Sequence, residues 1–259
     1  MNLFRKILLT AVALLTFAIA SAQQDTIRVR VMTYNLRFGE LASLDDLAAH
    51  IRAFKPDFVA LQEVDVNTQR TRAPHQNGKN FISELAYRTN MLGIYGKSID
   101  YSGGYYGIGI LSKHPYISID KTMLPNPEKN EQRVLLEGMF EVKGDTLVFA
   151  STHLDVSTES TRNIQSKFLC SHFENYACPI LLGGDFNANY DTEAIVKIMN
   201  KSWLPVTNTE LTYPAWNPRV KIDHIFVRPM KGWKVIKTQT VNSLLSDHLP
   251  IVTDLEYVK

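Results

Sequence analysis

The stretch "LLGGDFNANY", Leu181–Tyr190, decides how the chain is read. Leu181 and Leu182 are apolar and suit the end of a buried strand; two glycines, an acid, an aromatic ring and an amide follow. Gly, Asp and Asn favour turns, because they tolerate unusual backbone angles and cap nearby amides. A turn therefore explains this stretch taken alone. It explains less once the pattern recurs. Asn35 closes "TIRVRVMTYNL", Gln62 and Glu63 close "DFVALQEV", and His153 and Asp155 follow "LVFAST". Asp223 and His224 lie in "KIDHIFV", and Asp247 and His248 precede "LPIV". Open α/β folds set ligand sites at strand ends, where loops converge over a rigid sheet.

Around these strand ends the hydrophobic period switches between two and 3.6. "SLDDLAAHIRAF" predicts a helix, with Ser43 and Asp46 as a capping box, Leu44, Leu47, Ala48, Ile51 and Phe54 on one face, and Pro56 as the stop. A polar loop and a short helix near Phe81–Thr89 follow the second strand. "YGIGILS" and "YISIDKTML" predict strands, and "RVLLEGMFEVKGDTLVFASTHL" a hairpin turning at Lys143-Gly144-Asp145. A helix is expected from about Thr158 to Phe173, with Asp191 capping a short helix after "CPILLGGDF". "KIDHIFV", "WKVIKTQTV" and "PIVTDLEYV" finish the chain as strands. Hairpins mixed with strand–helix–strand units imply mixed sheets with helices packed outside, in one domain over residues 23–259.

The first 22 residues read differently. Arg5 and Lys6 precede an apolar run, Ile7 to Ile19, and Ala20-Ser21-Ala22 follows. These are the three regions of a secretory signal peptide, so the chain is expected to be exported, periplasmic or secreted. The run is about 13 residues, too short to span a bilayer comfortably. The segment holds two basic and no acidic residues, so the rest of the chain carries 26 of each sign. No global basic field remains to attract nucleic acid or an anionic membrane. Cys170 and Cys178 flank the end of one helix and the start of the next strand; they are either small apolar fillers or an export-compatible disulfide.

Carboxylate and amide oxygens gathered without cysteine suit a hard cation, Mg²⁺ or Mn²⁺, whereas zinc recruits more His or Cys. The HExxH, GxSxG, Walker A, GxGxxG and GNH[ED] patterns are all missing from the sequence. What remains is metal-assisted attack of water on a charged centre.

"TYNLR", "LQEVD", "GIGILSKHP", "STHLD", "GGDFNA", "KIDHIFV" and "SDHLPI" stand in the order found in the endonuclease/exonuclease/phosphatase superfamily, and by them the chain resembles its members over almost all of the exported part. The resemblance implies a DNase I-like fold: a four-layer α/β sandwich of two facing mixed sheets with helices outside and the site at one edge. It implies Glu63 as the main metal ligand, with Asn35 and Asp247 close to the metal. Asp185 matches the residue that orients or deprotonates water, and Asn187 the one that hydrogen-bonds the phosphoryl group. Asp223 and His248 resemble a pair in which the carboxylate orients the imidazole, His248 being base or charged clamp. His153 resembles the second histidine, which donates to a phosphoryl oxygen. Asp155 either supports the site or simply starts the next loop.

Other residues have two readings each. Arg70, Arg72, His75 and Lys79 form either a solvated loop or a clamp for an anionic substrate, and Arg133 precedes a strand from which it could reach the site. Tyr101, Tyr105 and Tyr106 are either a substrate wall or packing. His224 follows Asp223 on a strand and so points to the opposite face, as a structural residue. The implied activity is an exported, Mg²⁺-dependent phosphohydrolase, with a small phosphate ester or lipid headgroup favoured over nucleic acid, no obligate protein partner, and a monomer. A secreted DNase I-like nuclease is the alternative enzyme, and a catalytically silent binding domain is the alternative from another class. Export predicts cleavage after Ala22, and the intact mass of protein from the native host would then correspond to a chain beginning at Gln23.

Overall fold

The computed structural model describes residues 26–258. The expected signal peptide and its cleavage site lie outside the described residues.

Twelve described strands form two six-stranded sheets. The first comprises β1 (Thr26–Asn35), β2 (Phe58–Val66), β3 (Leu92–Tyr101), β4 (Gly104–Ser112), β11 (Trp233–Thr240) and β12 (Ile251–Val258), in the order β11-β12-β1-β2-β4-β3. The second comprises β5 (Tyr116–Met123), β6 (Val134–Val142), β7 (Asp145–His153), β8 (Ile180–Asp185), β9 (Leu204–Pro205) and β10 (Asp223–Arg228), in the order β5-β6-β7-β8-β10-β9. Each sheet is antiparallel except for one central parallel pair, β1/β2 in the first and β7/β8 in the second. A helix bridges each pair, as parallel strands require: α1 (Leu44–Phe54) joins β1 to β2, and α3 (Glu159–His172) joins β7 to β8. A further helix, α2 (Phe81–Thr89), lies between β2 and β3.

Strand alternation sorts the apolar residues into layers. Ile27, Val29 and Val31 face the second sheet, in a core shared with Phe149, Leu181, Ile225 and Val227. Met32 and Tyr34 point the other way, against Leu44, Leu47 and Ile51 of α1 and Phe81 and Leu85 of α2. Val148, Ala150, Ile180 and Leu182 meet Leu169 of α3, and Ile195, Met199 and Trp203 close the same outer layer. The result is the expected four-layer sandwich, with two mixed sheets face to face and helices outside. The Ser43–Asp46 capping box starts α1, and Lys55 closes it in a left-handed conformation.

The structure departs from the expectations at β3, at the two-residue β9 and at Asp191, and it decides between the two readings of the cysteines. β3 was not foreseen, because "LGIYGKSIDY" carries two glycines and its apolar residues keep no steady alternation. The expected short helix is present, as a π-helix over Ala194–Met199, but Asp191 does not cap it: Asp191 accepts a hydrogen bond from Asn189, and Glu193 precedes the helix. Cys170 and Cys178 are free thiols, which leaves the filler reading.

The two glycines of the opening stretch have a packing role. Gly183 faces the first sheet, where a Cβ would lie 3.0 Å from that of Ala60 and 3.5 Å from that of Thr33. A Cβ on Gly184 would stand 2.4 Å from the backbone oxygen of Thr152 on the neighbouring strand. Gly184→Ala must therefore displace backbone, and overpacking of this kind costs about 1–3 kcal/mol. Urea unfolding of Gly184→Ala should show that loss, with a smaller one for Gly183→Ala, whose neighbour is a methyl group.

Candidate active site

The inner-face stripes of four strands end in polar residues. Ile27, Val29 and Val31 are continued by Thr33 and Asn35; Leu147 and Phe149 by Ser151 and His153; Leu181 by Gly183 and Asp185. On antiparallel β10 the stripe of Val227 and Ile225 runs back to Asp223. The period of two thus puts Asn35, His153, Asp185 and Asp223 in the seam between the sheets, at one edge, and all four are buried.

Glu63 has the wrong parity for that face, since Phe58, Ala60 and Gln62 are its inward residues. The register between β2 and β4 slips between Leu61 and Val64, and Glu63 takes a φ of 56°. This bulge turns its side chain into the seam, where Glu63 Oε1 accepts from Asn35 Nδ2 at 3.2 Å. Asp247 and His248 come from the loop before β12. That loop is tied down by Ser246 Oγ, which donates to the Asn35 carbonyl at 2.7 Å, and by Leu249 N, which donates to the Thr212 carbonyl at 2.8 Å.

Asp185 is the centre of the cluster. Its Oδ1 accepts from Asn187 N at 2.9 Å and its Oδ2 from Asn35 Nδ2 at 3.0 Å. His153 Nε2 and His248 Nε2 face the same Oδ2 at 3.5 and 3.7 Å, beyond good hydrogen-bond length. Burial raises the Asp185 carboxyl and Asp223 adds to the rise, against the His248 charge. Burial also raises Glu63, opposed by His248 and the Asn35 amide.

The two imidazoles are shifted in opposite directions. His248 Nδ1 donates to Asp223 Oδ2 at 2.9 Å. Burial alone would lower His248, but Asp223 and Asp185 overcome it and raise it to about 10. Burial likewise would raise Asp223, yet the His248 charge and hydrogen bond hold it below the usual carboxylate range. His153 has no such partner. Burial, then the Arg133 guanidinium, then His248 push it well below 6.5, and it is neutral.

Seven expected residues are therefore brought together: Asn35, Glu63, His153, Asp185, Asp223, Asp247 and His248. Asn187 joins them through its backbone, while its Nδ2 donates to the Leu154 carbonyl at 3.0 Å. Arg133 also reaches the site, with Nη1 3.1 Å from His153 Nδ1. Asp155 does not: its Oδ1 accepts from Ser157 N and Thr158 N, both at 2.8 Å, and holds the turn that leads into α3. Arg70 and Arg72 are not free clamps either. Arg70 is paired twice to buried Asp65, at 2.5 and 3.0 Å, and lies over the rings of Phe38 and Tyr101. Arg72 forms two hydrogen bonds to Glu40, at 3.0 and 2.6 Å. Tyr106 is buried packing, and Tyr101 and Tyr105 are partly exposed. His224 is buried on the outer face, its Nε2 2.9 Å from the Ala188 carbonyl, and burial lowers it to about 3.

Two residues escaped the sequence reading. Arg37, two positions after Asn35 within "TYNLR", pairs with both Asp247 and Glu40. Arg37 and Phe38 take left-handed backbone angles there (φ 46° and 42°), a strained conformation of the kind found at functional sites. Lys221 is buried behind Asp223, donates to its carbonyl at 3.2 Å, and is lowered by burial to about 8. Its place two residues before Asp223 was the available signal.

The donor set fits a hard cation. Glu63 and Asp185 are neighbouring carboxylates, both raised by burial and sharing a single amide donor, and buried acids of this kind call for positive charge. Ligand atoms of Asp185, Asp223 and His248 also lie within 4.8 Å of one another. An imidazolium held between two carboxylates has no lone pair to offer, so Glu63 and Asn35 are the better candidates.

The pattern of the Endonuclease/Exonuclease/phosphatase family matches residues 32–248. Among solved structures, the chain is similar to a protein of that family from Bacteroides thetaiotaomicron, at 16% identity and a TM-score of 0.73, covering 91% of this chain and 100% of that one. It is similar to the mannosyl-6-phosphatase of Bacteroides thetaiotaomicron VPI-5482 at 16% identity and a TM-score of 0.70, covering 88% and 99%. It is also similar to the human nocturnin catalytic domain with bound sulfate, at 19% identity and a TM-score of 0.69, covering 91% and 98%. At these identities the likeness speaks to the fold. A search of curated proteins finds no match.

The raised His248 makes a pH prediction. Its folded-state value is about 10 against about 6.5 unfolded. Its contribution to stability is therefore full below pH 6.5 and fades as pH rises through 10. In EDTA, His248→Gln should lose about 3 kcal/mol at pH 6, as expected for breaking a buried pair, and much less at pH 10. A difference that stays constant in urea titrations at pH 6, 8 and 10 would contradict the charged state.

Proposed function

The chain belongs to the endonuclease/exonuclease/phosphatase family, a family of phosphoesterases and nucleases, and from that premise we propose that it is an exported, Mg²⁺-dependent phosphohydrolase that cleaves a compact phosphate ester by attack of water. The observation that carries the reading is the meeting of two buried imidazoles, His153 and His248, with the Asn35 amide, around the Asp185 carboxylate. A silent binding scaffold would have no use for two buried histidines facing one carboxylate.

The roles follow from the contacts. Asp185, raised by burial, is a stronger base than an ordinary carboxylate and is placed to orient water and take its proton. His153 Nε2–H and His248 Nε2–H stand beyond hydrogen-bond length from that carboxylate and so remain available to phosphoryl oxygens. Asp223 keeps His248 oriented and charged. Asn35 holds Glu63 and Asp185 in register, and the second Asn187 Nδ2 hydrogen is a further donor at the same edge. Mg²⁺, held by Glu63 with Asn35 and Asp247, would supply Lewis-acid polarisation of the phosphoryl oxygens.

Purified protein should lose turnover in EDTA and regain it with Mg²⁺. Glu63→Gln should lower turnover at least about a hundredfold, as removal of a partner at a metal site does. Mg²⁺ at about 100 times its Kd should stabilise the native protein by about 2.7 kcal/mol in thermal unfolding, and Glu63→Gln should abolish that shift. Full activity in EDTA would end this reading.

A compact substrate is favoured because both arginines of the basic loop are committed to carboxylates of the fold, Arg70 to Asp65 and Arg72 to Glu40. Few cations are left to track a long phosphate backbone. A small phosphate ester, of which a sugar phosphate is one kind, should show kcat/KM changing only a few-fold between about 50 and 200 mM salt, whereas a nuclease making six or more phosphate contacts would lose roughly a thousandfold in affinity. Duplex DNA as the far better substrate, with the steep slope, would establish the nuclease reading instead.

A further inference from the structure

Arg133 lies just before β6 and is almost fully buried, at 5% exposure. A buried guanidinium must be satisfied or it destabilises the fold. Its Nη1 lies 2.9 Å from Glu131 Oε1 and 3.1 Å from His153 Nδ1. The first contact is an ion pair, and the second is the hydrogen bond that this nitrogen makes. Guanidinium only donates, so His153 Nδ1 must accept through its lone pair. A neutral imidazole with a bare Nδ1 carries its proton on Nε2. That is the nitrogen facing Asp185, at 3.5 Å.

We infer that Arg133 is a positioning residue that locks His153 in its Nε2–H tautomer, so that the ring always offers a donor, and never a lone pair, to the phosphate. The inference rests on reading this edge as the phosphoester site. It also accounts for the difference between the two histidines. A carboxylate behind His248 takes a hydrogen from Nδ1 and favours the cation; a guanidinium behind His153 gives a hydrogen to Nδ1 and favours the neutral ring. The same side chain is thereby set to two protonation states by the sign of the group behind it. Glu131 completes the arrangement, since its carboxylate holds the guanidinium in place and offsets its buried charge.

Arg133 also has a buried Nε with no partner among the described residues. Direct contact with substrate is therefore the competing role, and the tautomer of His153 separates the two. Protein labelled with ¹⁵N-histidine would be studied metal-free at pH 8 by long-range ¹H–¹⁵N correlation, with His153→Gln used only to assign the ring. The expected spectrum has His153 protonated at Nε2 and bare at Nδ1. Arg133→Met should mix or invert the tautomers and lower kcat about ten- to a hundredfold. Arg133→Lys keeps a donor and should restore the tautomer with part of kcat.

A wild-type His153 protonated at Nδ1 overturns the inference even if Arg133→Met fails to fold. So does a folded Arg133→Met with the Nε2–H tautomer intact and only KM raised, which is the signature of direct substrate contact. The tautomer is read without turnover. A locked His153 in a chain that hydrolyses no phosphate ester would therefore support the lock and count against the functional reading alone.

Discussion

Everything at the edge depends on how closely the two sheets approach. Asn35 and Glu63 belong to one sheet, and His153, Asp185 and Asp223 to the other. The hydrogen bond from Asn35 to Asp185 crosses the gap at 3.0 Å. Behind it, Gly183 meets Ala60 and Thr33 at a point where the side chains are too small to hold the sheets apart. Small residues meet across the seam at its polar end and large ones at its apolar end, where Phe58 stacks on Phe149 at 4.9 Å between ring centroids. Ordinary sheet packing is about 10 Å deep and leaves room for a core layer; small residues at the edge let short polar side chains touch.

Burying so many ionisable groups together is costly unless each charge has a counterpart. Asp223 is paired with His248, Asp65 with Arg70, Asp247 with Arg37, and Arg133 with Glu131. Glu63 and Asp185 share the Asn35 amide and Asp185 also accepts from Asn187 N, but the nearest positive charge is the more distant imidazole of His248, so burial raises both. The shortage of positive charge at those two carboxylates is the physical basis for expecting a cation there. The same bookkeeping explains why the loop arginines are poor substrate clamps: their partners belong to the fold.

Most of the architecture was legible in the sequence because it rests on local rules. Alternation in "TIRVRVMTYNL" and "LVFAST", the Ser43–Asp46 cap, the Lys143-Gly144 turn and the 3.6-residue period after Thr158 are each read over a few residues. The polar strand ends were visible for the same reason. β3 was not, since "LGIYGKSIDY" carries two glycines and its apolar residues keep no steady alternation. Asp155 looked like a member of the site because it follows His153, but a residue beyond a strand end is no longer bound to the strand's face, and its carboxylate turned to the start of α3.

The sequence by itself determined which residues stand at strand ends and on which face, because parity along a strand follows from covalent geometry. It also determined that oxygen and nitrogen donors, without cysteine, would make up the site. Tertiary structure alone decided who meets whom. Parity would have put Glu63 on the outer face; the bulge between Leu61 and Val64 reversed it. Nothing local in the sequence distinguishes the charge of His153 from that of His248; Arg133 behind one favours the neutral ring and Asp223 behind the other favours the cation. Contacts between residues a hundred or more positions apart, as between Asn35 and Asp185, depend on how two sheets settle against each other, and no local rule of sequence contains that distance.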